Sequence, residues 1–169
     1  MNYADARDQI RTGDLIAVRK RHGLLPMLTR LVCRSPWTHT AIALWSGGRL
    51  LVAEAKGSGA SFAPLSQYAD IDFDVWPAPA ETLLTIERVI WETLGAPIGY
   101  DILDLLRIAA NRLFGWPLPD ADNALKVCSA LSATLWLQAG WRPRYLPSIP
   151  APDDVVAALA VPPSLQVRA

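Results

Sequence analysis

The sequence predicts an α+β domain: a small, mostly antiparallel sheet or half-barrel with helices packed on it. Three observations predict it. Two β-rich apolar runs, Thr38 to Trp45 and Arg49 to Ala55, flank Ser46-Gly47-Gly48, and glycine supplies the positive φ that a tight hairpin turn requires. The run Ile71-Asp72-Phe73-Asp74-Val75-Trp76 alternates apolar and acidic residues, the period of a strand with one buried and one wet face. Helical spacing recurs at Glu81 to Leu94 and at Ala130 to Ala139.

Each remaining element follows from local chemistry. Tyr3 to Arg11 reads as a short polar helix or lead-in, and Thr12-Gly13-Asp14 as a turn feeding the strand Leu15 to Val18. The basic cluster Arg19, Lys20, Arg21 with His22 reads as a solvated face. It precedes a helix from Leu24 to Arg34, with leucines at 24, 25, 28 and 31, which Ser35-Pro36 stops. After the hairpin, Lys56 to Ala60 is a loop and Ser61 to Tyr68 a short strand and turn; Pro77 and Pro79 end the run 71 to 76. Glu81 to Leu94 places positions 83, 86, 89, 90 and 94 on one stripe, with Gly95 as C-cap. Gly99-Tyr100-Asp101 opens the apolar segment Ile102 to Trp116, a helix of about four turns that is too charged and too short to span a bilayer. Gly115 to Asn123 is a loop, and a helix beginning at or just after Cys128 ends at Gly140. Beyond Trp141 the chain is proline-rich, with a short helix Asp153 to Ala160 and a loose tail Val161 to Ala169. The expectation is one domain over 1–169.

Composition narrows the function classes. The chain has 169 residues, about half of them hydrophobic, enough for one core. Sixteen basic and sixteen acidic side chains leave no net charge, so nucleic acid is not the expected partner. Two cysteines, Cys33 and Cys128, make no disulfide framework, and no His/Cys cluster has the spacing of a zinc site; no metal or cofactor is expected. The N-terminal stretch carries acidic residues and no apolar segment, so neither a signal peptide nor a transmembrane segment is expected, and the expected compartment is the cytoplasm.

The chemistry-bearing residues are His39, Glu54 and Cys128. Side chains alternate faces along a strand, and a hairpin loop of two or four residues puts positions 39 and 54 on a shared face, directly or diagonally opposite. A carboxylate beside a histidine orients the imidazole and raises its basicity, which suits a general base. Cys128 falls at a helix start, where free backbone N–H groups and the helix dipole stabilise a thiolate. Cys33, late in its helix, is expected to be structural.

The order His39, Glu54, Cys128 is a permutation of the order in papain, where the cysteine helix precedes the histidine strand. The sequence resembles the circularly permuted papain-like amidases of the YiiX type, within the superfamily of NlpC-type cell-wall peptidases and lecithin:retinol acyltransferases. The segments that carry the likeness are Gly13-Asp14-Leu15-Ile16, Ser35-Pro36-Trp37-Thr38-His39, Val52-Ala53-Glu54-Ala55, Gly99-Tyr100-Asp101, Cys128-Ser129 and Pro152-Asp153-Asp154. The resemblance implies Cys128 as nucleophile, His39 as base and then acid, and Glu54 as the group that orients His39. The free Cys128 N–H would line an oxyanion hole. Tyr100 is the candidate second donor, and Trp37 and Trp45, flanking the His39 strand, are candidate walls of a cleft.

What the resemblance implies is acyl transfer at an amide, ester or thioester, with a small peptide or acyl substrate, cell-wall peptides among them, and a bacterial or phage source. Two alternatives of other kinds stand beside it. One is a non-catalytic ligand- or partner-binding module of the same fold; the other is a lipid acyl hydrolase or acyltransferase working at a membrane surface.

Overall fold

The computed structural model of the chain describes residues 1–19, 30, 35–56, 59–95 and 128–169. Apart from Arg30, the expected helix over 24–34 lies outside the described residues, as do the expected helix over 102–116, Cys33 and Tyr100. The elements are α1 (Tyr3–Arg7), β1 (Leu15–Val18), β2 (His39–Ser46), β3 (Arg49–Lys56), β4 (Gly59–Pro64), β5 (Phe73–Trp76), α2 (Ile86–Leu94), α3 (Cys128–Gln138), α4 (Pro152–Leu159) and β6 (Leu165–Val167). The six strands form one sheet in the order β4-β3-β2-β1-β5-β6, and every pairing in it is antiparallel.

The hairpin forms as its turn chemistry requires. Gly47 and Gly48 take φ of 55° and 74°, and the register Ser46↔Arg49 closes the tight two-residue loop. One face of the sheet carries Leu15, Ala17, Ile42, Leu44, Ala53 and Trp76, packed against Ile86 and Ile90 of α2 and Leu131, Leu135 and Trp136 of α3. The other carries Ile16, Val18, Ala41, Ala43, Val52, Phe73 and Val75 beneath Ala6, Ile10, Leu65 and Tyr68. The central strands are therefore apolar on both faces, which is why Leu15–Val18 reads as a continuous run.

The turn before β1 anchors the helical layer. Gly13 sits at φ 94°, with Ala78 and Ile86 so close that a Cβ there would stand 3.1 Å from each. Its carbonyl accepts the Trp136 indole N–H at 3.0 Å, and the buried Asp14 carboxylate accepts the backbone N–H of Arg11 and of Ala78. Burial raises the Asp14 pKa, against the opposing pull of those two N–H groups.

Three expectations are corrected. The tail Val161 to Ala169 is not loose: β6 pairs with β5 at Phe73↔Val167 and Val75↔Leu165, and Val161 accepts the Trp76 indole N–H. Without it, β5 would present an open sheet edge. The 71–76 run has no wet face either, because all four residues of β5 are buried. Asp74 goes inward since Arg19 and Arg168 form ion pairs with it and the Trp37 indole donates to it. Finally, α2 begins at Ile86 rather than Glu81: Ala80–Thr82 forms a tight turn held by the Thr82 hydroxyl on the Pro79 carbonyl. The buried stripe is Ile86, Val89 and Ile90, while Leu83 points outward.

Candidate active site

The site forms where the β2–β3 ladder opens. Paired residues run from Ser46↔Arg49 to Ile42↔Ala53; beyond that point His39, Thr40 and Ala41 pair only with β1. Extending the register would set Glu54 opposite Ala41, diagonal to His39, as the parity of the hairpin predicts. The imidazole Nε2 and Glu54 Oε2 are 2.7 Å apart.

Into this opening comes the first residue of α3. Cys128 lies beside His39, close enough that each shifts the pKa of the other, and the backbone N–H groups of Thr40 and Ser129 act on the thiol in the same direction as His39. Since Nε2 is taken by Glu54, Nδ1 is the imidazole nitrogen left for the thiol. Further bonds surround Cys128 within α3 and tie α3 to β2 and to the segment before α4. The Thr40 and Ser132 hydroxyls lie 3.1 Å apart, Ser132 donates to the Cys128 carbonyl at 3.1 Å, and Ser129 Oγ donates to the Pro150 carbonyl at 2.6 Å.

Glu54 is buried and saturated with donors. Oε2 accepts from His39 and from the Tyr68 hydroxyl at 2.5 Å; Oε1 accepts from Gln67 Nε2 at 2.8 Å and pairs with Lys56 Nζ at 2.7 Å. Lys56 also donates to Gln67 Oε1 and stands over the Tyr68 ring. Burial by itself would raise the Glu54 pKa, but His39, Lys56 and Tyr68 together hold it down at about 2.

Burial likewise disfavours charge on His39 and Cys128, yet each favours the charge on the other. Against its desolvation, the Cys128 thiolate and the Glu54 carboxylate push the His39 pKa up to about 9. Against its own, the His39 imidazolium and the two backbone N–H groups lower that of Cys128. The Tyr68 pKa rises, chiefly through burial and through Glu54, so its hydroxyl stays protonated and remains a donor. The arrangement favours a thiolate–imidazolium pair backed by a fixed carboxylate.

The structure thus brings together Cys128, His39 and Glu54. Trp37 sits at the entry to β2, its indole N–H on Asp74 at 2.8 Å and its ring edge-on to Trp76 at 5.2 Å; these contacts tie the start of the His39 strand to β5. Trp45, at the far end of β2, donates to the Ile10 carbonyl and lies under Arg7, which makes it a packing residue rather than a cleft wall. Sequence reasoning missed Lys56, Gln67, Tyr68, Thr40 and Ser132. Lys56 was within reach, two residues beyond Glu54 on the same strand face, and so was Ser132, one helical turn beyond Cys128. Gln67 and Tyr68 arrive from a separate turn, Leu65–Tyr68, with no local signal.

No family model matches this chain, and no curated protein does. Among solved structures it is similar to the crystal structure of metalloprotein YiiX from Escherichia coli O157:H7, with a TM-score of 0.54 and 19% identity, over 95% of this chain and 99% of that one. At that identity the likeness establishes a YiiX-like α+β fold. No helix among the described residues is long and apolar enough to cross a membrane.

Proposed function

We propose that this chain is a cysteine-dependent hydrolase or acyltransferase of the permuted papain-like type, acting on an amide, ester or thioester. The observation that carries the proposal is the Cys128–His39–Glu54 relay, with the sulfur at a helix N-terminus and its pKa lowered by an imidazolium beside it.

The steps follow from these groups. The Cys128 thiolate attacks the carbonyl carbon, and the carbonyl π electrons move to oxygen. The Cys128 backbone N–H, first in α3, would be the donor to the developing oxyanion. Collapse of the tetrahedral intermediate expels the amine, alcohol or thiol, to which protonated His39 gives its proton. Neutral His39 then removes a proton from water or another acceptor, which attacks the thioester and releases the acyl group; the regained proton restores the pair. Glu54 holds the ring in place and offsets its positive charge throughout.

That YiiX is a metalloprotein raises a resident metal as a question for this chain. The described residues do not fit one. They include no group of three or more His, Cys, Asp or Glu placed around an ion, and both Glu54 oxygens are occupied by donors. No step above is routed through a metal.

The test is intact-protein and peptide mass spectrometry after exposure to activated amide, ester and thioester probes. One acyl group is expected on Cys128, absent in Cys128→Ser and formed much more slowly in His39→Ala. No adduct and no turnover with any of the three bond types would leave a ligand-binding module as the better reading.

A further inference from the structure

A cleft of about 560 Å³ lies between α3 and the segment 142–150. Its floor is Ala130, Ala133, Thr134 and Leu137, a stripe at helical spacing on the side of α3 turned away from Cys128, Leu131 and Leu135. The cleft is therefore separate from the site built around the thiol. Its opposite wall is rich in proline, and Arg142 and Arg144 stand in it, with no acidic residue among the described residues of the lining. Tyr145 is 77% exposed and Leu137 38% exposed, although both are side chains that usually find cover.

We propose that this groove binds an extended acidic peptide segment carrying aliphatic side chains. The apolar floor suits the aliphatic groups, and the two arginines of the lining complement carboxylates. The Thr134, Tyr145 and Ser148 hydroxyls line the same groove and can bond a peptide backbone. The shape is concave, which suits an inserted chain better than the flat plane of a bilayer. Arg142 already donates to the Leu137 and Trp141 carbonyls and so is fixed in place; among the described residues Arg144 has no hydrogen-bond or ion-pair partner and is open to a ligand. At the other end of the groove the Pro150 carbonyl accepts the Ser129 hydroxyl, so an occupant would press on the residue next to Cys128. The proposal does not depend on the chemistry assigned to that cysteine.

Selection of random dodecapeptides displayed on phage against the full chain, followed by fluorescence anisotropy of the selected peptides, tests it. Sequences enriched in Asp and Glu interspersed with Leu, Ile or Val are expected. Arg144→Glu and, separately, Thr134→Trp, which fills the floor, should each weaken binding by about tenfold or more, and added salt should weaken it further. Cys128→Ser should bind like the wild type. Circular dichroism confirms that each variant folds. Failure to select peptides, selection without acidic enrichment, affinity indifferent to both groove variants, or affinity for anionic vesicles in place of peptides would each overturn the proposal.

Discussion

Glu54 gathers two donors on each oxygen, so its negative charge is fixed in place before any substrate arrives. This sets the sign of an acid effect. A carboxyl held at about 2 in the fold and near 4.5 when unfolded adds stability that is complete above pH 4.5 and disappears as pH falls from 4.5 toward 2. Its size is on the order of 3 kcal/mol. Urea unfolding of wild type and Glu54→Gln between pH 2 and pH 7 should show the variant less stable at neutral pH and the difference shrinking toward pH 2; curves that stay parallel would contradict the assignment. The same substitution removes one of the two charges that favour imidazolium, so the His39 pKa should fall part of the way from about 9, the larger effect of Cys128 remaining, as measured by imidazole NMR titration. If His39 supplies the leaving-group proton, acylation should fall above about pH 9 in the wild type and at lower pH in the variant.

At the scale of elements, catalysis would depend on how α3 is set against β2. Two features of Thr40 set it: its N–H beside the sulfur and its hydroxyl on that of Ser132. Ser132→Ala leaves the buried Thr40 hydroxyl short of a partner, a loss of about 1–3 kcal/mol by denaturant unfolding. Cys128 should also label more slowly in that variant, whereas a purely structural serine would lower stability and leave labelling unchanged. The hairpin itself was legible because Gly47-Gly48 and β-rich flanks are local signals, and parity alone put His39 and Glu54 on one face. The contact of α3 with Thr40 was not legible, since α3 lies more than seventy residues further along the chain.

For the molecule as a whole, the C-terminal strand closes the sheet and brings Arg168 to Asp74, which also holds Arg19 and the Trp37 indole. Deleting residues 165–169 uncovers β5 and removes one cation from a buried carboxylate, an expected loss of about 2–4 kcal/mol, read as a lower urea midpoint. Restoring only the β6 backbone, with Arg168→Met, should recover part of it. The sequence-based reading erred here for a physical reason. Leu165-Gln166-Val167 is too short to show a period, and the inward turn of Asp74 depends on arginines 55 and 94 residues away that no local pattern announces. The α+β class, the helix start at Cys128 and the paired strands were legible because each rests on contiguous residues.

The most direct test of the central claim is the iodoacetamide labelling rate of Cys128 from about pH 5 to pH 9, mapped by peptide mass spectrometry, in wild type and His39→Ala. An unperturbed thiol ionises near about 8.5. Fast labelling near pH 6 that His39→Ala abolishes is the predicted result. Labelling that rises only near the ordinary thiol pKa, or that ignores the loss of His39, would contradict the thiolate–imidazolium pair and the reaction built on it.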